Sequence, residues 1–250
     1  MAKIGLNNFR YGMLTEGADG TASYSGAHKP AKAVSCSVSI TSNTATLYAD
    51  DVLAESDTSF QSGTVTIGID DEDVEVMAAL LGHTCTDGEL VRNSNDVAPY
   101  VGFGRIVGKM VNGVKKYKVE FLHKVKFSEP SEENQTKGES MEFSTGTLEG
   151  VIHQLANGDW SKAKTFTSKD DAITYLESLL NSATIAETFE GDGTTTSFTL
   201  AHTPLEINSV LVNGAKTTAY TTSGTTLTFT TAPADDAAIY VSYSYKVTTA

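Results

Sequence analysis

The sequence predicts a mainly β protein. Thr, Ser, Val and Gly are abundant among its 250 residues, and long helical patterns are few. Several segments alternate apolar and polar residues with the period of two that is typical of half-buried strands. A chain of this length has room for one medium domain and one small domain.

The clearest element is a β-hairpin over residues 100–127. At its centre, Asn112 and Gly113 supply the two positive-φ residues of a type I′ turn. Counting outward from Val111 opposite Val114 predicts these pairs: Gly108 with Tyr117, Ile106 with Val119, Gly104 with Phe121, Gly102 with His123, Arg105 with Glu120, and Phe103 with Leu122. We expect one face with aromatic rings over glycines and one mostly charged face that carries Lys116, Lys118, Lys124 and Lys126.

Alternating patterns predict further strands on either side of this hairpin. Residues 33–40 form a half-buried strand that residues 44–49 should pair with. A polar, acidic loop follows over residues 50–62, and it leads into a strand at 63–69. Downstream, strands over 141–155 and 160–166 are separated by a turn at Asn157-Gly158-Asp159.

Two segments have helical patterns. Residues 70–82 start with acidic side chains that complement the helix dipole, and Gly82 closes the helix. Residues 168–183 start at a Ser cap and place Ile173, Leu176, Leu179 and Leu180 at helical spacing.

The composition changes near Thr184. The last part of the chain is rich in Thr, Ser, Gly, Ala and Tyr, with strand patterns at 197–201, 207–212, 225–230 and 238–247. We therefore predict a domain over residues 1–184 and a small C-terminal β-sandwich over residues 185–250.

Charge and composition exclude several function classes. The formal net charge of −13 disfavours nonspecific binding to nucleic acid. The two cysteines lie singly in strand patterns, which argues against a disulfide framework. There is no apolar stretch of membrane-spanning length and no apolar run of a secretion signal near the N-terminus, so we expect a soluble chain made in the cytoplasm.

Candidate chemical sites have simpler structural explanations. His83 and Cys85 could be metal ligands, but no second pair supports them, and a strand after a helix cap explains them. The acidic cluster over residues 70–73 lacks calcium-loop spacing and suits helix capping. Gly102, Gly104 and Gly108 suit aromatic packing or close backbone approach, and we expect His123 to be a neutral, hydrogen-bonded imidazole or an interface contact. We predict no enzyme, no cofactor and no metal site.

Three segments carry a family resemblance. The run VNGVKKYKVEFLHKVKFSEPSEENQTKGESMEF, with YADDVLAESDTSF upstream and TLEGVIHQLANGDW downstream, resembles the major tail (tail tube) proteins of long-tailed bacteriophages, the phi13-type group. The resemblance covers roughly residues 1–183. The remaining residues resemble, in composition, the small immunoglobulin-like modules appended to phage structural proteins.

The resemblance implies a tail-tube β-barrel or sandwich with a flanking helix, in a subunit of hexameric rings. Such rings stack into a virion tail tube through which DNA passes, and they imply tape measure, tail terminator and baseplate proteins as partners. By position, residues 50–62 match a loop that reaches the adjoining ring. Its candidate contacts are Asp50, Asp51, Val52, Leu53 and Phe60. The alternative is that its apolar side chains fold back onto their own domain.

Other surfaces follow from the same resemblance. We expect the hairpin residues Arg105, Glu120, Phe103 and Leu122 at a subunit interface. An acidic bore would use Asp70, Asp71 and Glu72 or, alternatively, Glu129, Glu132 and Glu133. The C-terminal module should decorate the tube, with weak glycan contact through Tyr220, Tyr240, Tyr243 and Tyr245. The alternative is that these tyrosines belong to a small β core. The alternative function is a cell-surface or pilus-like binding protein of two β domains.

Overall fold

The computed structural model describes residues 2–17, 21–49, 52–130 and 146–247. Strands account for 61% of the chain and helices for 9%, so the prediction of a mainly β protein is confirmed. No helix in the described ranges has the length and apolar character needed to cross a bilayer.

The elements follow one another along the chain with these bounds: β1 (Ala2–Glu16), β2 (Ala22–His28), β3 (Ala33–Ala49), β4 (Val52–Ile69), α1 (Val74–Leu81), β5 (Thr84–Thr86), β6 (Glu89–Val91), β7 (Val101–Val111), β8 (Val114–Phe127), β9 (Gly146–His153), β10 (Ser161–Phe166), α2 (Lys169–Leu180), β11 (Ser182–Glu190), β12 (Ser197–Thr199), β13 (Pro204–Val212), β14 (Ala215–Lys216), β15 (Tyr220–Ser223), β16 (Thr226–Phe229) and β17 (Ala238–Lys246).

One antiparallel sheet organises the molecule. Its strand order is β14-β13-β17-β11-β2-β1-β7-β8-β9-β4-β3, and β10 also pairs with β8. Strands β1 and β3 contact each other, although four strands (β7, β8, β9 and β4) lie between them in the sheet order. This part of the sheet is therefore curled. The smaller sheets are β12-β16-β15 and β5-β6.

Three hydrophobic cores occur among the described residues. The first lies on the inner surface of the curled sheet, which α1 contacts, and contains Phe103 and Leu122. The second lies between α2 and the opposite face of the sheet, around Phe121 and Leu176. The third joins β17 to the three-stranded sheet in the C-terminal part, around Tyr243. Burial of these apolar side chains is the main stabilising contribution to such a fold.

The two predicted helices are confirmed with shorter bounds. Helix α1 starts after Asp73, whose carboxylate accepts a hydrogen bond from the Glu75 amide at 2.9 Å, and ends at Gly82 with φ of 79°. Helix α2 starts after Ser168, which accepts bonds from two backbone amides. It ends at Leu180, so the helix prediction was wrong for its last residues, where β11 begins.

The turn and most of the register predicted for the β7–β8 hairpin are confirmed. Asn112 and Gly113 have φ of 50° and 77°, and the pairs from Val111–Val114 to Phe103–Leu122 form as expected. The predicted pairing of Gly102 with His123 was wrong, because the next directly opposed pair after Phe103–Leu122 is Val101–Val125. This one-residue bulge falls where β8 exchanges its neighbour β10 for β9.

The prediction for residues 33–62 needs a larger correction. Residues 33–49 form one strand without a turn, and its partner is β4 over residues 52–69. The predicted loop over 50–62 is therefore strand from residue 52 onward. The Thr- and Ser-rich sequence near residues 41–46 contains neither Gly nor Pro, so it continues as strand.

The C-terminal part has its own core but shares the large sheet. The predicted boundary near Thr184 lies inside β11, which pairs with β17 along its whole length and with β2 through Ser182 and Tyr24. Predicted strands at 197–201, 207–212, 225–230 and 238–247 correspond to β12, β13, β16 and β17.

Candidate functional site

Apart from Phe60 at its base, the outer part of the β3–β4 hairpin stands free of the rest of the described chain. We call residues 41–49 and 52–61 the ribbon. Every side chain from residue 41 to 46 and from 55 to 59 is exposed, so neither face of this segment is covered. Thr44 and Thr58 are directly opposed, with their hydroxyl oxygens 3.4 Å apart. An isolated two-stranded hairpin is only marginally stable in water.

Both edges of the ribbon are also open within the described ranges. Strand β3 is the last strand of the sheet, and β4 pairs with β9 only over residues 63–69. Backbone donors and acceptors along both edges are therefore available to another strand. Within the described ranges, the ribbon therefore has two unpaired edges, and its side chains at residues 41–46 and 55–59 are exposed on both faces.

Phe60 lies at the base of the ribbon and contacts its own chain. Its ring stacks on Trp160, with centroids 4.9 Å apart and planes 7° apart, and it packs against the first core. For Phe60 the alternative of folding back onto its own domain is thus observed. Val52 and Leu53 lie in β4 at the far end, but their side chains are outside the described residues. Asp50 and Asp51 lie outside the described residues altogether.

The hairpin residues expected at a subunit interface are buried or paired within the subunit itself. Phe103 and Leu122 are 1% and 7% exposed because the curled sheet closes over them, which corrects that expectation. Arg105 donates to Glu120 at 2.6 and 2.8 Å and also contacts the Cys36 sulfur. These residues therefore join the two sides of the curled sheet instead of offering a free surface.

Glu120 sits at the centre of this internal ion-pair group. Burial opposes its ionisation, but hydrogen bonds from Lys118 and Arg105 leave its pKa below the ordinary value of a glutamate. The carboxylate is therefore charged at neutral pH and compensated on both sides.

The glycines of β7 allow both aromatic packing and close approach of another backbone, the two possibilities that the sequence predicted. A Cβ atom on Gly104 would lie 2.2 Å from Leu176 and 3.2 Å from the Phe121 ring. A Cβ on Gly108 would lie 2.2 Å from the backbone oxygen of Ile4 in β1. Aromatic packing and close backbone approach thus occur on the same strand face.

His123 has a structural environment. The Tyr24 hydroxyl donates to the His123 carbonyl oxygen at 2.9 Å and lies 3.1 Å from its Nδ1. Burial lowers the pKa of His123, which favours the neutral imidazole that the sequence predicted.

The tip of the β7–β8 hairpin is cationic. In register, Lys3, Lys109 and Lys116 are directly opposed on β1, β7 and β8. No carboxylate pairs with Lys109 or Lys116 in the described part of the chain. Beside them, Met110 and Val114 are 37% and 55% exposed. We call Lys109 and Lys116 the lysine row. Like charges that face each other across strands are destabilising, and no counter-charge offsets this repulsion in the described chain.

Several candidate acidic bore residues are engaged within the chain. Asp70 accepts from the Lys32 amide at 2.7 Å and pairs with its ammonium at 3.0 Å, and the ammonium contact lowers the pKa of Asp70. Glu129 bonds to His83 and lies 3.7 Å from Arg92. Asp71 is exposed, Glu72 is half-buried, and Glu132 and Glu133 lie outside the described residues.

His83 joins two acidic side chains, Asp96 and Glu129, in a contact that the sequence did not predict. We call this group the His83 junction. The His83 Nδ1 bonds to Asp96 at 2.7 Å and its Nε2 bonds to Glu129, while its side chain is only 6% exposed. The Asp96 contact, and then the Glu129 contact, raise the pKa of His83, because donation from both ring nitrogens requires imidazolium. The two bonds point in different directions and Cys85 takes no part. No group of three metal-binding side chains occurs in the described ranges.

The four candidate glycan-stacking tyrosines are in different environments. Tyr243 is fully buried, its hydroxyl donates to Glu187 and accepts from the His202 amide, and burial raises its pKa to about 12. It cannot stack on a ligand, which corrects that expectation. Tyr245 is stacked on the His202 ring at 3.8 Å, and Tyr220 packs on the third core. Tyr240 lines a polar cleft of about 570 Å³ between the C-terminal strands and β2.

Comparison with known proteins adds no relative. No protein-family profile matches the sequence, and no curated protein is significantly similar to it. The ribbon, the lysine row and the open sheet edge are therefore the features from which a function can be argued.

Proposed function

We propose that this protein is a self-assembling structural subunit of a phage tail tube, and that its ribbon is a principal contact between copies. The observation that carries the proposal is the ribbon itself, whose side chains at residues 41–46 and 55–59 are exposed and whose two edges are unpaired within the described chain. The sequence resemblance to tail tube proteins names the kind of assembly.

The physical argument concerns the cost of an isolated ribbon. Ordering each residue of a strand costs about 1–2 kcal/mol of backbone entropy, and an uncovered ribbon buries little surface to offset it. A second copy could supply both the missing strand and the missing cover. Identical subunits joined head to tail form a closed ring when their rotation permits.

The chemistry of the surface agrees with a conduit for DNA. A net charge of −13 repels phosphate, so duplex DNA would pass through a ring of such subunits without being held. In this proposal the rings are hexameric, they stack into a tube, and the C-terminal part, with its own core, decorates the outside. Tape measure, terminator and baseplate proteins are then the partners at the tube ends.

A shortened ribbon tests the proposal. Asn43 and Ser59 are directly opposed, so residues 44–58 can be replaced by Asn-Gly while the strand register below is kept. The removed side chains that the structure describes are exposed, so we expect the variant to fold as a monomer with an unchanged circular dichroism spectrum. We expect it to form no rings or rods in negative-stain electron microscopy under conditions where the wild type forms them.

The control replaces Thr44 and Thr58 with Val, which keeps the strand length and β propensity. This control should still assemble. Regular rings or rods from the shortened variant would contradict the role of the ribbon. A wild-type protein that stays monomeric at every concentration would contradict self-assembly itself.

A further inference from the structure

The two longest hairpins of the large sheet have opposite charge. Residues 33–69 of the β3–β4 hairpin contain four acidic side chains and no basic one. Residues 101–127 of the β7–β8 hairpin contain seven Lys and Arg side chains against one glutamate. In a chain whose net charge is −13, this concentration of positive charge on one hairpin is a local feature with its own consequence.

Charged side chains at the outer ends of the two hairpins have no oppositely charged partner in the described chain. On the ribbon, Glu55 and Asp57 are exposed and take part in no ion pair there. On the other hairpin, Lys109 and Lys116 face each other without a carboxylate. An acidic partner would remove the repulsion in this lysine row, and a lysine row would compensate the acidic ribbon.

The two hairpin tips also project from the same end of the sheet. Strands β4 and β8 both pair antiparallel with β9, so they run in the same direction. Ile152 of β9 is directly opposed to both Gly63 and Val125. Gly63 lies about eleven positions after the first residue of β4, and Val125 lies about eleven positions after the first residue of β8. At about 3.3 Å per residue, the outer ends of β4 and β8 both lie about 36 Å beyond that level.

From this geometry we propose that the acidic ribbon of one copy docks laterally on the Lys109–Lys116 tip of a second copy in the same ring. Rotation about an axis along these strands keeps both tips at the same height, so the ribbon of one subunit meets the lysine tip of its neighbour. Val114, which is exposed on the same strand face as these two lysines, supplies the apolar part of the contact. The inference rests on the proposed self-assembly, and it names the surface that receives the ribbon.

Charge reversal with rescue tests the docking. We expect Lys109→Glu combined with Lys116→Glu to raise the concentration needed for ring formation at least about tenfold at low salt, because attraction becomes repulsion. Glu55→Lys combined with Asp57→Lys should do the same. A chain that carries all four substitutions should regain assembly, since the two surfaces are again complementary. Sedimentation velocity and negative-stain microscopy measure the outcome, and circular dichroism checks the fold of each variant.

The matched control is Lys29→Glu with Lys216→Glu, which changes the net charge equally at two exposed sites outside both hairpins. It should assemble like the wild type. If a reversal variant does not fold, Lys109→Gln with Lys116→Gln replaces it, and the expected result is a smaller loss of assembly together with a weaker salt dependence.

The failures of the two proposals are distinguishable. Normal assembly of the lysine variant, or no rescue in the fourfold variant, would overturn the docking surface while leaving self-assembly in place. Intact single rings that no longer stack would overturn the lateral contact. A wild type that never assembles would overturn the proposed function.

Discussion

The β7–β8 and β3–β4 hairpins lie in one sheet and point the same way, yet they differ in how much of each is buried. The first is packed on both faces, with Phe103 in one core and Phe121 in another. In the second, every side chain from residue 41 to 46 and from 55 to 59 is exposed. Burial holds the first hairpin in place whether or not a partner is present. The second has no such support, which is why we assign it to contacts between copies.

The largest expected difference between the two hairpins is in core packing. Phe103→Ala should lower the free energy of unfolding by about 3–5 kcal/mol, since it removes a buried ring from the first core. Thr46→Ala on the ribbon should change it by less than about 0.5 kcal/mol. Urea denaturation of dilute monomer measures both. A cost at Thr46 comparable to that at Phe103 would mean that the ribbon packs on its own chain.

The next largest effect is at the hairpin turn. Replacing Asn112 and Gly113 with Ala should lower the free energy of unfolding by about 1–2 kcal/mol per residue, because both have positive φ. Asn43→Ala is the control, since this residue is an exposed strand position of the ribbon. Thermal melts compare the three proteins. An Ala-Ala turn as stable as the wild type would contradict the type I′ assignment.

The pH dependence distinguishes the His83 junction from other histidines. The pKa of His83 is raised, so its bonds to Asp96 and Glu129 contribute fully at pH below about 6.5 and are lost as pH rises through the raised pKa. Burial lowers the pKa of His153, so its contribution to the pH dependence of stability has the opposite sign: it destabilises the folded state as pH falls. We expect melting curves of His83→Gln to lose the alkaline decline of the wild type. His153→Gln should keep that decline, and a decline that persists in His83→Gln would contradict the junction.

The smallest expected effect concerns the lysine row. Lys116→Glu places a carboxylate opposite Lys109 and should stabilise the monomer by about 0.2–1 kcal/mol at low salt. The same variant should weaken assembly, so stability and assembly change in opposite directions. Lys216→Glu, which lies in β14, should change neither. A Lys116→Glu monomer that is less stable than the wild type would show that the lysines do not repel each other.

How well the sequence predicted each hairpin depends on how local its signals are. The Asn112-Gly113 turn fixes φ, and hence register, within a few residues, and the prediction failed only at the bulge where β8 changes neighbours. The β3–β4 pairing has no such turn signal, since residues 41–46 lack Gly and Pro and the connection is Asp50-Asp51. The pairing partner of residues 41–49 therefore could not be predicted locally.

Contacts between residues far apart in the chain could not be predicted from the sequence either. His83 meets Glu129, 46 residues away, through the arrangement of α1 and the end of β8. The sequence left open whether Tyr243 is a glycan-stacking or a core tyrosine, and β17 places it in the third core. Helix caps at Asp73 and Ser168 were predictable because a cap needs only its own first turn.

Hydrogen exchange along the ribbon tests the central claim most directly. In dilute monomer, the outward-facing amides of residues 41–49 and 52–61 should exchange rapidly, since neither edge is paired within the described chain. In assembled material we expect the same peptides to exchange at least about tenfold more slowly, while core peptides of β7 stay unchanged. Equal exchange of the ribbon in both states would contradict the claim that a second copy covers it.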